Sequence, residues 1–226
     1  MQSTQARRSA AMDHAGGDWN AGTRGGSAIV IRAAQPSDAA SVQRFVRGLS
    51  RETRHKRFFA PIHELSPEQL ERLTSTATAD DLSLLVLDCL GEIIGMGQCA
   101  ATGEGAAEFA VVVGEDWQRR GVGTTLLGLL MEHARSRQLV SLAGFVLADN
   151  QAMLGLAAKL GLSLVRDADP ALVRVETVLN DGQAIREDAS TRYSAQPACC
   201  PIIVIWGRTS EFLGYSQTDV GPMEAV

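Results

Sequence analysis

Residues 118–123, Gln-Arg-Arg-Gly-Val-Gly, join an apolar run typical of a strand to an apolar run typical of a helix. The run before them, residues 108–113, is rich in β-branched and aromatic side chains. After them, apolar side chains recur at helical spacing through Leu126, Leu130 and Ala134. Such a connection places free backbone N–H groups at the positive end of a helix dipole, and glycines let an anion approach the backbone closely. The segment therefore predicts a loop that holds a pyrophosphate.

Two common nucleotide-binding loops do not fit this segment. The dinucleotide fingerprint needs three glycines in the order G-x-G-x-x-G, and the Walker loop needs lysine and then serine or threonine after its last glycine. Neither pattern occurs here. A simpler alternative stays open, in which Gly121 and Gly123 only make a tight turn between a strand and a helix.

Two blocks of the sequence resemble a known family. Residues 118–123 are similar to the acetyl-coenzyme A loop, Gln-x-x-Gly-x-Gly, of the GNAT N-acetyltransferase superfamily. Residues 150–162 resemble its Asn-x-x-(apolar) helix, which ends in Lys-x-Gly-(apolar). A wider stretch, roughly residues 27–178, is similar to the acetyltransferase domain of bacterial Pat-type protein lysine acetyltransferases. The resemblance implies an α/β fold with a mixed, mostly antiparallel central sheet flanked by helices, and it implies acetyl-CoA as cosubstrate.

The resemblance also assigns the cofactor contacts. The pyrophosphate falls on the loop, with the backbone amides favoured over the two arginine side chains. The edge of the preceding strand is expected to pair with the amides of the pantetheine arm, and Asn150 to contact that arm. Asn150 is equally a good helix N-cap, and both roles can hold. The predicted cofactor-binding residues are Val111, Val112, Val113, Gln118, Arg119, Arg120, Gly121, Val122, Gly123, Thr124 and Asn150.

Glu108 is the candidate general base. In the Pat-type pattern a glutamate at this place takes the proton of the acceptor amine, which at a pKa near ~10.4 is almost always charged at pH 7. Strand alternation puts Glu108 on the face of Ala110 and Val112. The alternative is an ordinary solvent-facing strand carboxylate. Where many superfamily members carry a tyrosine as general acid, this chain has Ala157, so no acid is assigned.

The sequence predicts one domain between two tails. Residues 1–26 are polar and glycine-rich and are expected to form a disordered leader. The acetyltransferase domain is expected over residues 27–180, followed by a tail over residues 181–226 without an assigned role. Within the domain, the periodicity predicts the following elements. Strands are expected at residues 28–32, 83–88, 93–101, 107–113, 141–147, 162–166 and 173–178, and helices at 36–48, 51–59, from 66, after 121 and at 151–160.

Composition narrows the cellular setting and the partners. The net charge of −5 argues against a nucleic-acid surface, and no apolar run reaches the roughly 18 residues of a membrane span. Cys89 and Cys99 are expected to be buried thiols, and Cys199 and Cys200 lack the spacing of a zinc site. These features predict a cytoplasmic protein without a bound metal.

The sequence leaves the acceptor open. The basic cluster at residues 51–57 is either a solvated helix face or a patch that recognises the acceptor. Direct transfer to a protein lysine, without a covalent intermediate, is the preferred function. A small-molecule amine acetyltransferase and a non-catalytic acyl-CoA sensor are the alternatives.

Overall fold

A computed structural model describes residues 18–75 and 78–179 of the chain. Most of the predicted leader, residues 1–17, and the predicted tail, residues 181–226, lie outside the described residues. The apolar run at 202–206 and Cys199 and Cys200 lie outside them as well.

The described residues form one eight-stranded sheet in the order β1-β2-β3-β4-β5-β6-β8-β7. Neighbouring strands are antiparallel except β5 and β6, which are parallel. This confirms the predicted α/β fold with a mixed, mostly antiparallel sheet. The strands are β1 (Trp19–Gly22), β2 (Ala28–Ala33), β3 (Leu82–Leu87), β4 (Ile93–Gly103), β5 (Ala106–Val113), β6 (Ser141–Leu147), β7 (Ser163–Arg166) and β8 (Leu172–Val178).

In residues 18–75 and 78–179, five α-helices flank the sheet, and side-chain caps mark several of their starts. Ser50 accepts a hydrogen bond from the Thr53 amide, and Ser66 forms a capping box with Gln69 ahead of Pro67. The helices are α1 (Ala39–Gly48), α2 (Arg51–Phe58), α3 (Pro67–Thr74), α4 (Val122–Ser136) and α5 (Gln151–Lys159). Short 3₁₀ turns at Pro36–Asp38 and Glu115–Trp117 precede α1 and the loop before α4.

The helices form a layer on each face of the sheet and enclose two cores. The larger core packs α4 and α5 against one face, with Leu126, Leu130 and Phe109 buried in it. The smaller core packs α1 and its neighbours against the other face through Val46, Met96 and Val112. Alternate residues of β5 therefore serve opposite cores, as its side-chain period of two requires.

The sheet splits between β5 and β6. Their parallel pairing covers only Ala106–Ser141, Ala107–Leu142 and Glu108–Ala143. Beyond it the ring of Phe109 lies against Gly144, where an added Cβ would sit 2.8 Å from Phe109 Cζ. Glycine at this position therefore lets the ring sit between the strands where they part.

The predicted disordered leader is wrong for residues 18–26. Trp19–Gly22 forms β1, which pairs antiparallel with β2, and Trp19 and Ala21 pack against the larger core. Two apolar side chains among glycines and polar residues give too short an alternation to be recognised as a strand. The prediction that Cys89 is a buried thiol is also wrong, because Cys89 lies exposed in the turn between β3 and β4. Cys99 is buried as expected.

Candidate active site

The split opens a cleft of about 650 Å³. Residues of α2 and β5 line one side, and the ends of β6 and α5 line the other. The loop before α4 closes one end. The start of helix α2 is tied to the 3₁₀ turn before this loop, because the amide of its N-cap residue Ser50 donates a hydrogen bond to Glu115 Oε1 at 2.9 Å.

The loop at residues 118–123 has the geometry expected of an anion site. Gly121 adopts a left-handed conformation with φ of 95°, and Arg119 is left-handed as well, with φ of 60°. The first intrahelical hydrogen bond of α4 runs from the Thr125 amide to the Gly121 carbonyl at 3.1 Å. The amides of residues 122–124 precede that bond, so they are the free donors at the helix N-terminus.

The side chains of this loop are divided between the cleft and the protein. Arg119, Gly121, Gly123 and Thr124 line the cleft. Arg120 instead stacks over the Trp117 ring, with its guanidinium carbon 5.2 Å from the ring centroid, and the Val122 side chain is buried in the larger core. Arg120 and Val122 can therefore contact a ligand in the cleft only through their backbone groups.

Gln118 has a role that the sequence did not indicate. Its Nε2 donates a hydrogen bond to the Val113 carbonyl at 3.0 Å, which ties the start of the loop to the end of β5. Val111, Val112 and Val113 all lie along the cleft. On their other edge they pair with Gly97, Met96 and Gly95 of β4. The edge of β5 that faces the split is the one predicted to meet pantetheine.

Asn150 caps α5 and also borders the cleft. Its Oδ1 accepts a hydrogen bond from the Met153 amide at 3.2 Å, which is the capping role that the sequence left open. The capping bond uses only the side-chain oxygen, and Asn150 lines the cleft, so its amide nitrogen is available to act as a donor there.

Glu108 is buried where β5 and β6 part, and this excludes the solvent-facing alternative. Its exposed fraction is 6%, and it lines the cleft at the last residue of the β5–β6 pairing. Burial raises the pKa of the Glu108 carboxyl to about 7, and the charges of Arg174 and Arg57 partly oppose this rise. The carboxyl therefore changes its charge near neutral pH.

Comparison with known proteins identifies the family of this chain. The profile of the Acetyltransferase (GNAT) family matches residues 49–162, just over half of the 226 residues. The matched region contains the loop, Glu108 and Asn150. The chain belongs to the GNAT acetyltransferase family. It is thus an acyltransferase of a family that uses acetyl-CoA.

Its relatives include proteins named as acetyltransferases. The chain is 32% identical over 171 residues to an acetyltransferase of Pseudomonas aeruginosa, covering 73% of this chain and 91% of that protein. It is 31% identical over 150 residues to Acetyltransferase Pat of Mycolicibacterium smegmatis, covering 64% of this chain and 44% of Pat. The crystal structure of the GNAT domain of S. lividans PAT superposes with a TM-score of 0.68 at 28% identity, covering 72% of this chain and 97% of that domain. The resemblance to Pat-type proteins is confirmed.

Two further GNAT positions are now placed. Ala157 is fully buried in the larger core. Because alanine has no hydroxyl group, position 157 cannot donate a proton to a leaving thiolate. The basic cluster of α2 is neither a wholly solvated face nor a wholly exposed patch, because Arg54 and Arg57 are buried. A helix without an apolar stripe gives no periodic signal of which cations point inward.

In residues 18–75 and 78–179, no group of three or more histidine, cysteine or acidic side chains is arranged to hold a metal ion. No helix within those ranges combines the length and hydrophobicity needed to cross a membrane.

Proposed function

We propose that this GNAT enzyme transfers the acetyl group of acetyl-CoA to a protein lysine, with Glu108 as general base. The observation that carries the proposal is the position of Glu108, buried at the point where the split of the sheet begins and facing the cleft. No other carboxylate among the described residues combines this burial with this place.

The cleft fits the cosubstrate that the family uses. The free amides of residues 122–124 and the positive end of the α4 dipole suit the pyrophosphate. The open edge of β5 at residues 111–113 offers backbone groups to the amides of pantetheine, and Asn150 contacts the same arm. These contacts direct the thioester toward the head of the split, where Glu108 lies.

The chemistry removes two protons from the acceptor nitrogen. The lysine ammonium loses the first proton to the Glu108 carboxylate, the neutral nitrogen attacks the thioester carbonyl, and the C–S bond breaks. Coenzyme A departs as a thiolate, which takes up the second nitrogen proton as the amide forms and is released as a thiol, whose pKa is about 8.5. A carboxyl with a pKa of about 7 is half ionised at pH 7, and it is a stronger base than an ordinary glutamate.

Direct transfer is favoured by the placement of the described cysteines. Cys99 is buried in the larger core, and burial raises the pKa of its thiol to about 12. Cys89 lies in the exposed β3–β4 turn. Neither thiol lines the cleft, so neither is placed to carry the acyl group.

The acceptor side of Glu108 favours a protein substrate. Next to it, the sheet face formed by β6 and β8 carries Phe145, Arg174 and Glu176, and the last two side chains are 42% and 36% exposed. A lysine on the surface of another protein can reach Glu108 across such an open face. The similarity to Pat-type protein lysine acetyltransferases supports the same choice, and a cytoplasmic location agrees with it.

Substitution Glu108→Gln tests the base. The variant keeps the shape of the side chain, so acetyl-CoA should bind with nearly wild-type affinity by calorimetry. Turnover should fall by about 10² to 10⁴. The inflection of kcat/KM near pH 7 should disappear, and raising the pH should partly rescue the variant, because more of the acceptor amine is then neutral. Glu104→Gln is the matched control, since Glu104 lies exposed in the turn just before β5. Equal rates for wild type and Glu108→Gln from pH 6 to 9 would refute the assignment.

A comparison of acceptors tests the substrate class. We expect acetylation of lysine-containing proteins to proceed with a higher kcat/KM than acetylation of free amines of similar pKa. Faster turnover of a small amine, abolished by Glu108→Gln, would keep the base but change the substrate class.

A further inference from the structure

Helix α2 carries two buried arginines that perform different tasks. Arg54 and Arg57 are 8% and 6% exposed. Arg54 donates hydrogen bonds from Nη1 to the carbonyls of Arg47 and Leu49, so it holds α2 to the end of α1. Arg57 reaches the sheet instead, where its Nη2 donates to Gln98 Oε1 at 2.8 Å.

The strand register places the end of Arg57 beside Glu108. Gln98 lies opposite Ala110, and Ala100 lies opposite Glu108. Directly opposed residues share a face of the sheet, so Gln98 and Glu108 are diagonal neighbours on one face, a relation that typically separates residues by about 7 to 8 Å. Gln98 is itself held by a hydrogen bond from its Nε2 to Ser83 Oγ at 3.3 Å. The chain Ser83–Gln98–Arg57 thus fixes a guanidinium over the face that carries Glu108.

Arg57 is also directed to the cleft. It lines the same cavity as Glu108, and its buried Nε has no hydrogen-bond partner among the described residues. A buried guanidinium is costly unless a negative charge or an acceptor stands nearby. Gln98 accepts one hydrogen bond from Arg57, whose guanidinium carbon lies 4.8 Å from the centroid of the Phe58 ring. The negative charge that acts on Arg57 is that of Glu108 on β5.

We propose that Arg57, oriented by Gln98, is a positioning residue that keeps the Glu108 carboxylate ionised and aimed at the acceptor amine. The inference rests on the proposed role of Glu108 as base.

The surrounding charges agree with this arrangement. Arg57 of α2 and Arg174 of β8 act on Glu108 through their charges, and the strand register places Glu176 of β8 in the same row as Glu108, with Ala143 of β6 between them. Arg174 has the larger lowering effect on the pKa of Glu108, followed by Arg57. Arg174 is partly exposed and paired with Glu176, its Nε 2.8 Å from Oε2, so solvent and salt weaken its effect. Arg57 is enclosed by protein, and its attraction is the one that persists at high ionic strength.

Arg57→Gln tests the proposal, with Arg54→Gln as the matched control in the same helix. The protonation of Glu108 is followed by NMR of ¹³C-labelled glutamate carboxyls, with Glu108→Gln identifying the signal. In Arg57→Gln at 0.5 M salt we expect the midpoint of the Glu108 signal to rise by about one pH unit. The acid limb of kcat/KM should move with it, giving a loss of about fivefold at pH 7 that recovers by pH 9. Acetyl-CoA affinity should stay unchanged, and Arg57→Lys should restore most of the midpoint.

The remaining outcomes separate this proposal from the proposed function. Arg54→Gln should lower the melting temperature but leave both the NMR midpoint of Glu108 and the acid limb of kcat/KM unchanged. An unmoved Glu108 signal in folded Arg57→Gln would overturn the role of Arg57. If the NMR midpoint of Glu108 rises while the acid limb of kcat/KM stays in place, Arg57 is the partner of Glu108 but Glu108 is not the base. If Arg57→Gln does not fold, Gln98→Leu is the deciding variant, because it keeps Arg57 but removes the hydrogen bond that orients it. A rise of the Glu108 midpoint smaller than the one expected for Arg57→Gln supports the proposal. An unchanged midpoint overturns it.

Discussion

Burying one carboxyl has a thermodynamic cost as well as a chemical use. Glu108 has a folded pKa of about 7 against an ordinary value of 4.5. Between these two values the folded chain holds a proton that the unfolded chain releases, so stability falls as the pH rises from 4.5 to 7. The enzyme is therefore expected to be less stable at the pH where its base is ionised, as functional sites often require.

Glu108→Gln should make the protein more stable at alkaline pH. Glutamine resembles the protonated carboxyl and avoids the cost of burying its charge, which Arg174 and Arg57 only partly offset. We expect the free energy of unfolding to rise by about 1 to 3 kcal/mol at pH 8 and to be unchanged near pH 4.5. Urea unfolding at both pH values measures the difference. The exposed Glu104→Gln should show neither effect, and an equal gain at both pH values would contradict the linkage.

At the scale of elements, the first turn of α4 must both follow a left-handed N-cap residue and leave room for α5 to pack closely. Gly121 supplies the left-handed residue at the N-cap, and Gly123 lets α5 come close, since an added Cβ would lie 3.1 Å from Leu156 Cδ1. Gly128, one turn and a half further along the same helix, has nothing within 4 Å of an added Cβ. Gly123 and Gly128 should therefore respond differently to substitution by alanine.

Gly128→Ala should stabilise the fold by about 0.5 to 1 kcal/mol, because alanine lowers the conformational entropy of the unfolded chain and causes no clash in the folded one. Gly123→Ala should gain less or destabilise, since Leu156 must move, and it should weaken acetyl-CoA binding. Thermal unfolding and calorimetry of both variants provide the measurement. Equal stabilisation with unchanged acetyl-CoA affinity in both would show that Gly123 is only an ordinary helix residue.

At the scale of the whole molecule, the split sheet divides the enzyme into two halves. One half contains β1 to β5 with α1 to α3, and the other contains β6 to β8 with α5, while α4 packs across the sheet. Within the sheet the halves meet through three residue pairs of β5 and β6 and through Phe109 on Gly144, and the larger core joins them on one face. We expect the contact between Phe109 and Gly144 to influence the cleft, because it lies where the two strands part.

Gly144→Ala should disturb both stability and cosubstrate binding. The new methyl group would meet the Phe109 ring at 2.8 Å and the Phe109 carbonyl oxygen at 3.0 Å, and Phe109 is buried in the larger core. We expect a loss of about 1 to 3 kcal/mol together with weaker acetyl-CoA binding. Gly48→Ala, which has open space around it, serves as the control. Wild-type stability and affinity in Gly144→Ala would show that the contact does not set the cleft.

The sequence predicted every helix and strand from β2 to β8 to within a few residues, because each has an independent local signal. Ser66 before Pro67, the Val-rich β5 and the glycines after Arg120 each predict an element or a turn without knowledge of the rest. The Glu108 carboxyl was placed on its correct face by alternation alone. Its burial was not predictable, because it depends on α2 folding over β5.

The features that sequence could not give are those made by distant residues. Arg57 looks like any other cation in a polar helix, and only the packing of α2 on Gln98 distinguishes it from Lys56. Gln118 was expected at the cosubstrate, and its bond to Val113 depends on where the 3₁₀ turn ends. β1 needed β2 beside it to be a strand at all.

The loop before α4 is anchored by contacts within the protein itself. Gln118 holds its start to Val113, the Arg24 amide donates to the Arg120 carbonyl at 2.9 Å, and Arg120 rests on Trp117. A phosphate that enters therefore orders little additional backbone, and the conformational entropy of the loop has already been lost on folding. Association with acetyl-CoA should thus proceed at a rate set by diffusion into the cleft, and loosening an anchor should show itself first as faster dissociation of the cosubstrate.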